Sequence, residues 1–320
     1  MTSSSKLEFV TLDVFTAKPY EGNPLAIVQI PNGYILSQDQ KQTIAREFNL
    51  SETTFLHEKT TATEDDEWTV DIFVTTRELP FAGHPTVGTA CYVLGRTARE
   101  RGIESGTMNA KFNLKAGRVD LEYGSDVEFN KPSQADDYSH IHKKRCNKNE
   151  ILVWQPQLAE AHQQGKTQAH DDFPVVSIVK GMTFVLVELE NEEVLSMVSL
   201  AGRALVVDGL NSDWCDVLTG TYFFVRMGKS EDGTTRLRTR MIEGALEDPA
   251  TGSAASDLAA YLSLTEGRSN ETLRYEIIQG VEMGRRSEIL IEIDLTQDRA
   301  ISKLYLKGGA VEVMEGRLTV

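Results

Sequence analysis

The alternation of apolar and polar residues predicts strands grouped around a helix in the first third of the chain. Alternation over Phe9–Phe15 and an apolar run over Ala26–Ile30, separated by a turn rich in glycine and proline, indicate a strand pair. A capping-box pattern at Ser37 predicts a helix that runs to Phe48. A further strand is expected over Trp68–Thr75.

A second group of strands is expected in the latter half of the chain. The runs that predict them are Val175–Val179, Thr183–Leu189, Leu205–Val207, Thr221–Arg226, Thr234–Ile242, Ile289–Ile293 and Leu304–Leu306. Strands outnumber helices and do not alternate with them one for one. The pattern therefore favours an α+β fold with mostly antiparallel sheets over a parallel doubly wound fold.

Two loops in the chain resemble each other. Residues 83–90 (GHPTVGTA) align with residues 247–254 (EDPATGSA), so that a proline, a glycine and a final alanine coincide. Each loop follows a predicted strand and enters an apolar helix, expected over Ala90–Leu94 in the first copy and Ala254–Leu264 in the second. The repeat predicts two pseudo-symmetric lobes, each a mostly antiparallel sheet wrapped around a central helix, with both helix starts pointing into a shared cleft.

The second loop has the composition of an anion site. Thr251 and Ser253 are of types common at helix N-caps, and Gly252 allows a ligand to approach the backbone closely. The N–H groups and the dipole of a helix start attract negative charge, and Glu247 and Asp248 would hold carboxylates beside them. An ordinary capped helix is the alternative that spacing alone leaves open.

Glu52 lies where the chain leaves the first predicted helix and enters the apolar residues Thr53–Leu56. A carboxyl group in that position is expected to be partly buried, which favours its neutral form and prepares it for proton transfer near neutral pH. An exposed loop acid is the alternative. Asn23, between Gly22 and Pro24, has a similar alternative, because it can simply shape a turn.

The charge balance limits the classes of partner. The 320 residues include 48 Asp and Glu against 33 Lys and Arg, a net charge of −15. No dense basic cluster occurs apart from residues 142–145. This composition argues against nucleic acid and against anionic membrane surfaces as partners. It does not exclude an anionic substrate, because a local helix dipole can hold one.

The cysteines and the first residues indicate a reduced, cytoplasmic protein. Cys91, Cys146 and Cys215 are far apart and odd in number, so they predict no disulfide framework. Residues 1–6 contain no apolar signal core, and the chain has no run of about 18 apolar residues.

The segment 127–172 differs from the rest in being polar and mixed in charge, and it holds four of the six histidines. A helix is expected around Pro156–Gln164. His140 and His142 with Cys146 raise the question of a metal site, but their spacing fits no closed zinc pattern. We therefore interpret the segment as a solvated connector between the lobes, with no metal.

Several motifs together resemble the phenazine-biosynthesis (PhzF-like) isomerase family, and the match covers nearly the whole chain. They are residues 13–16 (DVFT), 22–28 (GNPLAIV), 51–55 (SETTF), 83–86 (GHPT) and 247–254 (EDPATGSA), followed by 279–280, 284–285, 287 and 308–309. The resemblance implies the diaminopimelate epimerase-like fold. It also implies that Glu52 is the catalytic glutamate and that Asn23 lies in the substrate cleft.

We expect a metal-free and cofactor-free proton transfer on carbon. The N–H groups of Gly83, His84, Gly252 and Ser253 would bind a substrate carboxylate and spread the charge that develops when a neighbouring C–H is ionised. Glu52 would take that proton and return it at another carbon. Asp248 and His84 would orient the substrate or shuttle a proton. The expected result is a double-bond shift in an unsaturated carboxylate.

Other activities are less consistent with these residues. Epimerases of this fold use two cysteines, one at each helix start, whereas Cys91 lies about two turns beyond its helix start. A related lyase or cyclase remains a variant of the same proton transfer. A non-catalytic metabolite-binding protein would not need Glu52, His84 and Asp248 together, and a hydrolase would need a nucleophile–base pair that these motifs lack.

The expected organisation is an N-terminal lobe over residues 1–126 that is joined by the C-terminal strand 304–320, a crossing over 127–172, and a C-terminal lobe over 173–303. The expected partner is a small-molecule carboxylate, with a homodimer left open.

Overall fold

The computed structural model describes residues 6–59, 66–103, 107–124, 127–130, 140–167, 170–179, 182–203, 205–210, 214 and 218–320. The helices are α1 (Gln38–Phe48), α2 (Gly83–Arg101), α3 (Lys148–Leu152), α4 (Pro156–Gln163), α5 (Glu192–Ser196) and α6 (Gly252–Glu266). The first nine strands are β1 (Lys6–Val14), β2 (Asn23–Ile30), β3 (Glu52–His57), β4 (Glu67–Phe73), β5 (Glu78–Leu79), β6 (Met108–Leu114), β7 (Gly117–Tyr123), β8 (Val127–Asn130) and β9 (His140–Asn147). The remaining strands are β10 (Asp172–Val179), β11 (Met182–Glu188), β12 (Leu218–Lys229), β13 (Thr235–Glu243), β14 (Leu246–Asp248), β15 (Thr272–Gln279), β16 (Ser287–Leu295), β17 (Ile301–Gly308) and β18 (Ala310–Thr319). The predominance of strands confirms the α+β class.

The chain forms two compact units. Unit 1 comprises residues 1–134 and 306–320, and unit 2 comprises residues 135–305. The domain boundaries expected from the sequence stay a prediction. Among the described residues, no helix has both the length and the apolar character that a membrane crossing requires.

Unit 1 is a mixed sheet around helix α2. Its strands pair in the order β18, β1, β2, β3, β4, β6 and β7. The β2–β3 and β4–β6 pairs are parallel and the other pairs are antiparallel. Helix α2 is buried along most of its length and packs on β1, β3 and β7, which makes it the core of the unit.

Unit 2 repeats this arrangement around helix α6. Its strands pair in the order β9, β10, β11, β12, β13, β15 and β16, and the β11–β12 and β13–β15 pairs are parallel. Helix α6 is also largely buried and packs on β10, β11 and β16. The same sequence of parallel and antiparallel pairs in both units confirms two pseudo-symmetric lobes.

The predicted repeat is correct in its topology, but its residue alignment is wrong. The alignment pairs Gly88 with Gly252 and starts the first helix near Ala90, whereas α2 begins at Gly83 and α6 at Gly252. Pro85 is the third residue of α2, where a missing backbone N–H costs little. The prolines of the two motifs therefore do not occupy equivalent positions, because Pro249 precedes α6.

Two expectations for unit 2 are wrong for physical reasons. Residues 205–207 form no regular secondary structure, and Leu205 and Val207 are apolar because they pack against the hydrophobic core of the unit. The described part of the histidine segment contains a strand and two helices, so this part is not a solvated connector. Residues 140–147 form β9, whose alternation turns His142 and Cys146 inward among charged neighbours. The predicted helix near Pro156 is confirmed as α4.

Candidate active site

The first group of predicted site residues meets in unit 1 around a carboxylate–imidazole pair. Glu52 begins strand β3 and pairs with Leu25 on the parallel strand β2. His84 is the second residue of helix α2. Glu52 Oε2 lies 3.0 Å from His84 Nδ1, with 17% of the Glu52 side chain and 4% of the His84 side chain exposed. The fold thus places these two groups within direct proton-transfer distance.

The charge state expected for Glu52 from the sequence is wrong. Burial acts to raise the pKa of Glu52, but the hydrogen bond and charge of His84, with a hydrogen bond from Ser51, act in the opposite direction and prevail. The pKa of Glu52 therefore lies below its ordinary value of 4.5. At neutral pH Glu52 is a carboxylate, which is the form a general base requires.

Asn23 lies beside this pair and is buried at the first position of β2. Ser51 Oγ lies 3.2 Å from Asn23 Oδ1 and also near the Glu52 carboxylate, so the single hydroxyl proton has two acceptors and Ser51 links Asn23 to the Glu52 position. Gly22 holds a left-handed φ of 69°, and a Cβ there would lie 2.3 Å from the Val14 carbonyl oxygen. The turn before Asn23 consequently requires glycine. The role of Ser51 was not predicted, although Ser51 is adjacent to Glu52 in the sequence.

The two central helices begin without a side-chain cap, as helix α4 also does. Side chains of Ser37, Asn147 and Asn191 cap helices α1, α3 and α5. Neither Ala82 before α2 nor Thr251 before α6 makes a side-chain cap hydrogen bond, and neither central helix has an acidic residue in its first turn. Helix α6 is therefore not capped by a side chain, and the anion site at its start stays a prediction. Gly83 and His84, and likewise Gly252 and Ser253, begin helices whose positive dipole ends carry no side-chain cap.

Asp248 lies in unit 2 at the end of β14, next to the start of α6. The Thr251 hydroxyl donates to Asp248 Oδ2 at 2.7 Å instead of capping the helix. The side-chain amide of Gln279 donates to the Asp248 carbonyl oxygen at 2.7 Å. The loop that joins Asp248 to α6 is therefore held by buried hydrogen bonds. Gln279 belongs to one of the motifs in the sequence, but its contact with this loop was not predicted.

Glu247, the other acid of this motif, has a structural function. It forms a two-pronged ion pair with Arg240, with N–O distances of 2.7 and 2.8 Å, and both side chains are largely buried. Arg240 also donates to the Val198 carbonyl oxygen at 2.6 Å, just beyond helix α5. Of the two acids in the motif, Glu247 is committed to this ion pair, and Asp248 is the one that faces the helix start.

Other cysteines and histidines of the described residues are held by their own contacts, as where His57 Nε2 lies 2.8 Å from Asp71 Oδ2 beside Lys41. Cys91 lies in the third turn of α2, and burial raises the pKa of the Cys146 thiol to about 12. Cys215 lies outside the described residues. His142 Nε2 lies 2.9 Å from the Ser177 hydroxyl in a buried contact. Within the described ranges, no three or more His, Cys, Asp or Glu side chains cluster in a way that would hold a metal ion.

Comparisons with known proteins indicate that this chain is an isomerase. The trans-2,3-dihydro-3-hydroxyanthranilate isomerase of Pseudomonas aeruginosa is 29% identical over 312 residues, covering 97% of this chain and 98% of its own. The protein of the same name from Pseudomonas chlororaphis is 28% identical over 315 residues, covering 98% and 99%.

Comparison with solved structures agrees with the sequence comparisons. The crystal structure of the Bacillus anthracis phenazine biosynthesis protein of the PhzF family matches with a TM-score of 0.71 at 20% identity, over 99% of this chain and 100% of that one. The model of the phenazine biosynthesis-like family, PhzC-PhzF, matches residues 12–316, and the chain belongs to this family. The family resemblance stated from the motifs and the epimerase-like fold are confirmed.

Proposed function

We propose that this isomerase moves a proton between two carbons of a small unsaturated carboxylate, with Glu52 as the general base and acid. The observation that carries the proposal is the 3.0 Å contact between Glu52 Oε2 and His84 Nδ1 at the uncapped start of α2. A carboxylate, its hydrogen-bond donor and a helix dipole are thereby combined in one place.

The reaction begins with Glu52 as a carboxylate, because His84 lowers its pKa. Glu52 removes a proton from a carbon of the substrate, and the electron pair left behind shifts the neighbouring double bond. The N–H groups at the start of α2 stabilise the negative charge that spreads into the substrate carboxylate. Glu52 then returns the proton at another carbon, so the overall change is a shift of one hydrogen and one double bond.

His84 keeps Glu52 oriented and charged between the two proton transfers. With Glu52 ionised, Nδ1 of His84 donates the hydrogen bond. Its Nε2 is buried and makes no hydrogen bond to the part of the chain that the structure describes. A polar group of the substrate would satisfy that nitrogen.

Unit 2 contributes Asp248 and the uncapped start of α6 to the proposal. We assign Asp248 to orienting the substrate, since its carboxylate is itself oriented by Thr251. The N–H groups of Gly252 and Ser253 are assigned to anion binding, as at other helix starts. The chemistry of these steps calls for no metal or cofactor, so we expect chelators to leave the activity intact.

The substrate proposed is trans-2,3-dihydro-3-hydroxyanthranilate or a close analogue, after the two similar Pseudomonas enzymes. This compound has an unsaturated ring beside a carboxylate, which the proposed proton transfer requires. The test is to incubate the wild-type protein with this compound in deuterated water and to follow the ring C–H signals by NMR. We expect a C–H signal to be lost at one carbon and a new one, partly deuterated, to form at another. Unchanged substrate at stoichiometric enzyme would overturn the proposal.

A further inference from the structure

Gln279 is a fully buried amide at the end of β15 that contacts the loop carrying Asp248. Its Nε2 donates to the Asp248 carbonyl oxygen at 2.7 Å and to Thr251 Oγ1 at 3.0 Å. Its Oε1 accepts from the Thr251 N–H at 3.3 Å and lies 3.0 Å from the Tyr222 hydroxyl, whose single proton has a second acceptor in Thr239 Oγ1 at 3.0 Å. Both donors and both acceptor positions of the glutamine side chain therefore have a polar atom within hydrogen-bond distance.

The backbone fixes which way this amide faces. The Asp248 carbonyl can only accept a hydrogen bond, so the Gln279 atom next to it has to be the nitrogen. The Thr251 N–H can only donate, so the atom next to it has to be the oxygen. Gln279 thus pairs with the loop backbone in one orientation, and a flipped amide would leave buried groups unpaired.

This orientation sets the direction of the hydrogen bonds that end on Asp248. Because Gln279 donates to Thr251 Oγ1, the Thr251 hydroxyl is left with its own proton to donate. That proton goes to Asp248 Oδ2 at 2.7 Å. The Asp248 carboxylate is therefore held as the acceptor of the Thr251 hydroxyl proton.

Glycine at position 280 allows the loop to lie directly against the end of β15. Gly280 has a φ of 74°, and a Cβ at this position would lie 2.6 Å from the Pro249 carbonyl oxygen. The backbone of residues 279–280 therefore touches the backbone of the loop directly. No other residue type would allow this approach without displacing Pro249.

We propose that Gln279 is a positioning residue for Asp248, acting through the Thr251 hydroxyl. Gln279 itself does not touch the substrate. It fixes the loop backbone and the direction of the Thr251 hydroxyl, and these fix the Asp248 carboxylate. This inference rests on the proposed role of Asp248 in the isomerisation.

The test is a double-mutant cycle on kcat/KM with trans-2,3-dihydro-3-hydroxyanthranilate, using Gln279→Met and Asp248→Asn. Alone, Gln279→Met should lower kcat/KM about 10- to 100-fold, comparable to losing a hydrogen bond to a charged group. In the Asp248→Asn background, the same change should cost less than about threefold, because the group that it positions is already altered. Equal losses in both backgrounds would mean that Gln279 acts independently of Asp248, and would overturn the proposal.

The hydroxyl link is tested by a conservative pair at Thr251. Thr251→Ser keeps the donor and should retain kcat/KM within about threefold, whereas Thr251→Val has nearly the same shape without the donor and should resemble Gln279→Met. A Thr251→Val protein with wild-type kcat/KM would contradict the inferred hydrogen-bond direction.

A matched control separates positioning from general loss of stability. Tyr275 lies on the same strand, and its buried hydroxyl is 2.8 Å from Ser263 Oγ, away from the Asp248 loop. Tyr275→Phe should reduce stability without changing kcat or KM. A loss of kcat/KM in this variant equal to that of Gln279→Met would overturn the proposal.

A readout that needs no substrate keeps this inference distinct from the proposed function. Hydrogen–deuterium exchange of the peptide over residues 248–252 should be faster in Gln279→Met than in wild type, and unchanged in Tyr275→Phe. If wild type does not convert the compound, the proposed function fails and the exchange result decides whether Gln279 positions the loop. Wild-type exchange at 248–252 in Gln279→Met would overturn the inference.

Discussion

The two helix starts have the same strand topology around them but different chemistry. In unit 1, Thr54 pairs with Ile72, and Ile72 also pairs with Leu79. In unit 2, Tyr222 pairs with Met241, and Met241 also pairs with Asp248. Leu79 and Asp248 each lie four residues before the first residue of the central helix, Gly83 or Gly252, so these pairings make Leu79 the counterpart of Asp248. The same register matches Thr54 with Tyr222. Two residues earlier on each strand, Gly220 is therefore the counterpart of Glu52, and each residue pairs with a neighbouring parallel strand.

Neither acid therefore has a copy in the other unit. A Cβ on Gly220 would lie 2.9 Å from the Phe184 ring and 3.1 Å from Met241 Sδ, so the counterpart of Glu52 has no room for a carboxylate. Leu79 is a buried apolar residue. The two units therefore share uncapped helix starts but differ in the acid beside them, Glu52 in unit 1 and Asp248 in unit 2. This difference is consistent with the separate roles proposed for the two acids.

The largest expected effect is that of Glu52→Gln. Gln is nearly isosteric but cannot accept a proton from carbon, so kcat should fall about 10²- to 10⁴-fold with the fold retained. Glu78→Gln is a matched control, because the Glu78 side chain is 15% exposed and also loses an ion pair, with Lys115. Steady-state kinetics and circular dichroism of both variants check this prediction. Wild-type kcat in Glu52→Gln would remove Glu52 from the mechanism.

A smaller effect is expected for Asp248→Asn. The amide no longer accepts a charge-assisted hydrogen bond from Thr251, and kcat/KM should fall about 10- to 100-fold, largely through a higher KM. Michaelis–Menten kinetics with the proposed substrate separate the two constants. A loss confined to kcat and as large as that of Glu52→Gln would mean that the two acids have equivalent roles, which contradicts the proposed difference between the units.

Gly220, the counterpart of Glu52, has no space for a side chain, and the free energy of unfolding of a variant at this position tests that conclusion. Gly220→Ala should destabilise the protein by about 1–3 kcal/mol through overpacking against Phe184 and Met241. Gly124→Ala is the control, since a Cβ there would meet only Thr107 Cγ2 at an ordinary 3.6 Å. Urea unfolding of both variants measures the difference. An unchanged free energy of unfolding in Gly220→Ala would mean that the site does have room for a side chain.

The least disruptive test follows the pH dependence of kcat/KM. The pKa of Glu52 is below 4.5, so the base remains ionised and the acid limb of the profile should lie below pH 4.5. His84→Leu removes the hydrogen bond and the charge that lower this pKa, leaving burial to raise it, so the acid limb should move above pH 4.5. An acid limb at the same pH in His84→Leu as in wild type would contradict the inference that His84 lowers the pKa of Glu52.

The same pKa has a consequence for stability. Because the folded-state pKa of Glu52 is depressed, its contribution to stability is present above its ordinary value of 4.5 and is lost as the pH falls through the folded value.

Local sequence patterns predicted the features that depend on near neighbours. The capping box at Ser37 and helix α4 after Pro156 were found because each depends on residues within one or two helical turns. The charge state of Glu52 was not found, since it depends on His84, which is 32 positions away in sequence. The repeat was aligned wrongly because a proline fits both a loop and the first turn of a helix.

Two further features of the structure were not predicted from the sequence, because they depend on contacts between residues far apart in the chain. Gln279 acts on a loop that precedes it by 28 to 31 positions, and no local pattern distinguishes it from other polar residues at a strand end. His142 faces inward from a stretch in which charged residues conceal the alternation of the strand. The site assignments, the domain boundaries and the expected partners stay predictions.

The asymmetry between the units is tested most directly by the rate of substrate C–H cleavage in deuterated water, measured by NMR for wild type, Glu52→Gln and Asp248→Asn. A proton moved within the substrate and one exchanged with solvent both remove the original C–H signal, so the measurement holds even if Glu52 is shielded from solvent. We predict that cleavage is abolished in Glu52→Gln and persists, more slowly, in Asp248→Asn at saturating substrate. Cleavage at the wild-type rate in Glu52→Gln, or its complete loss in Asp248→Asn alone, would contradict the account.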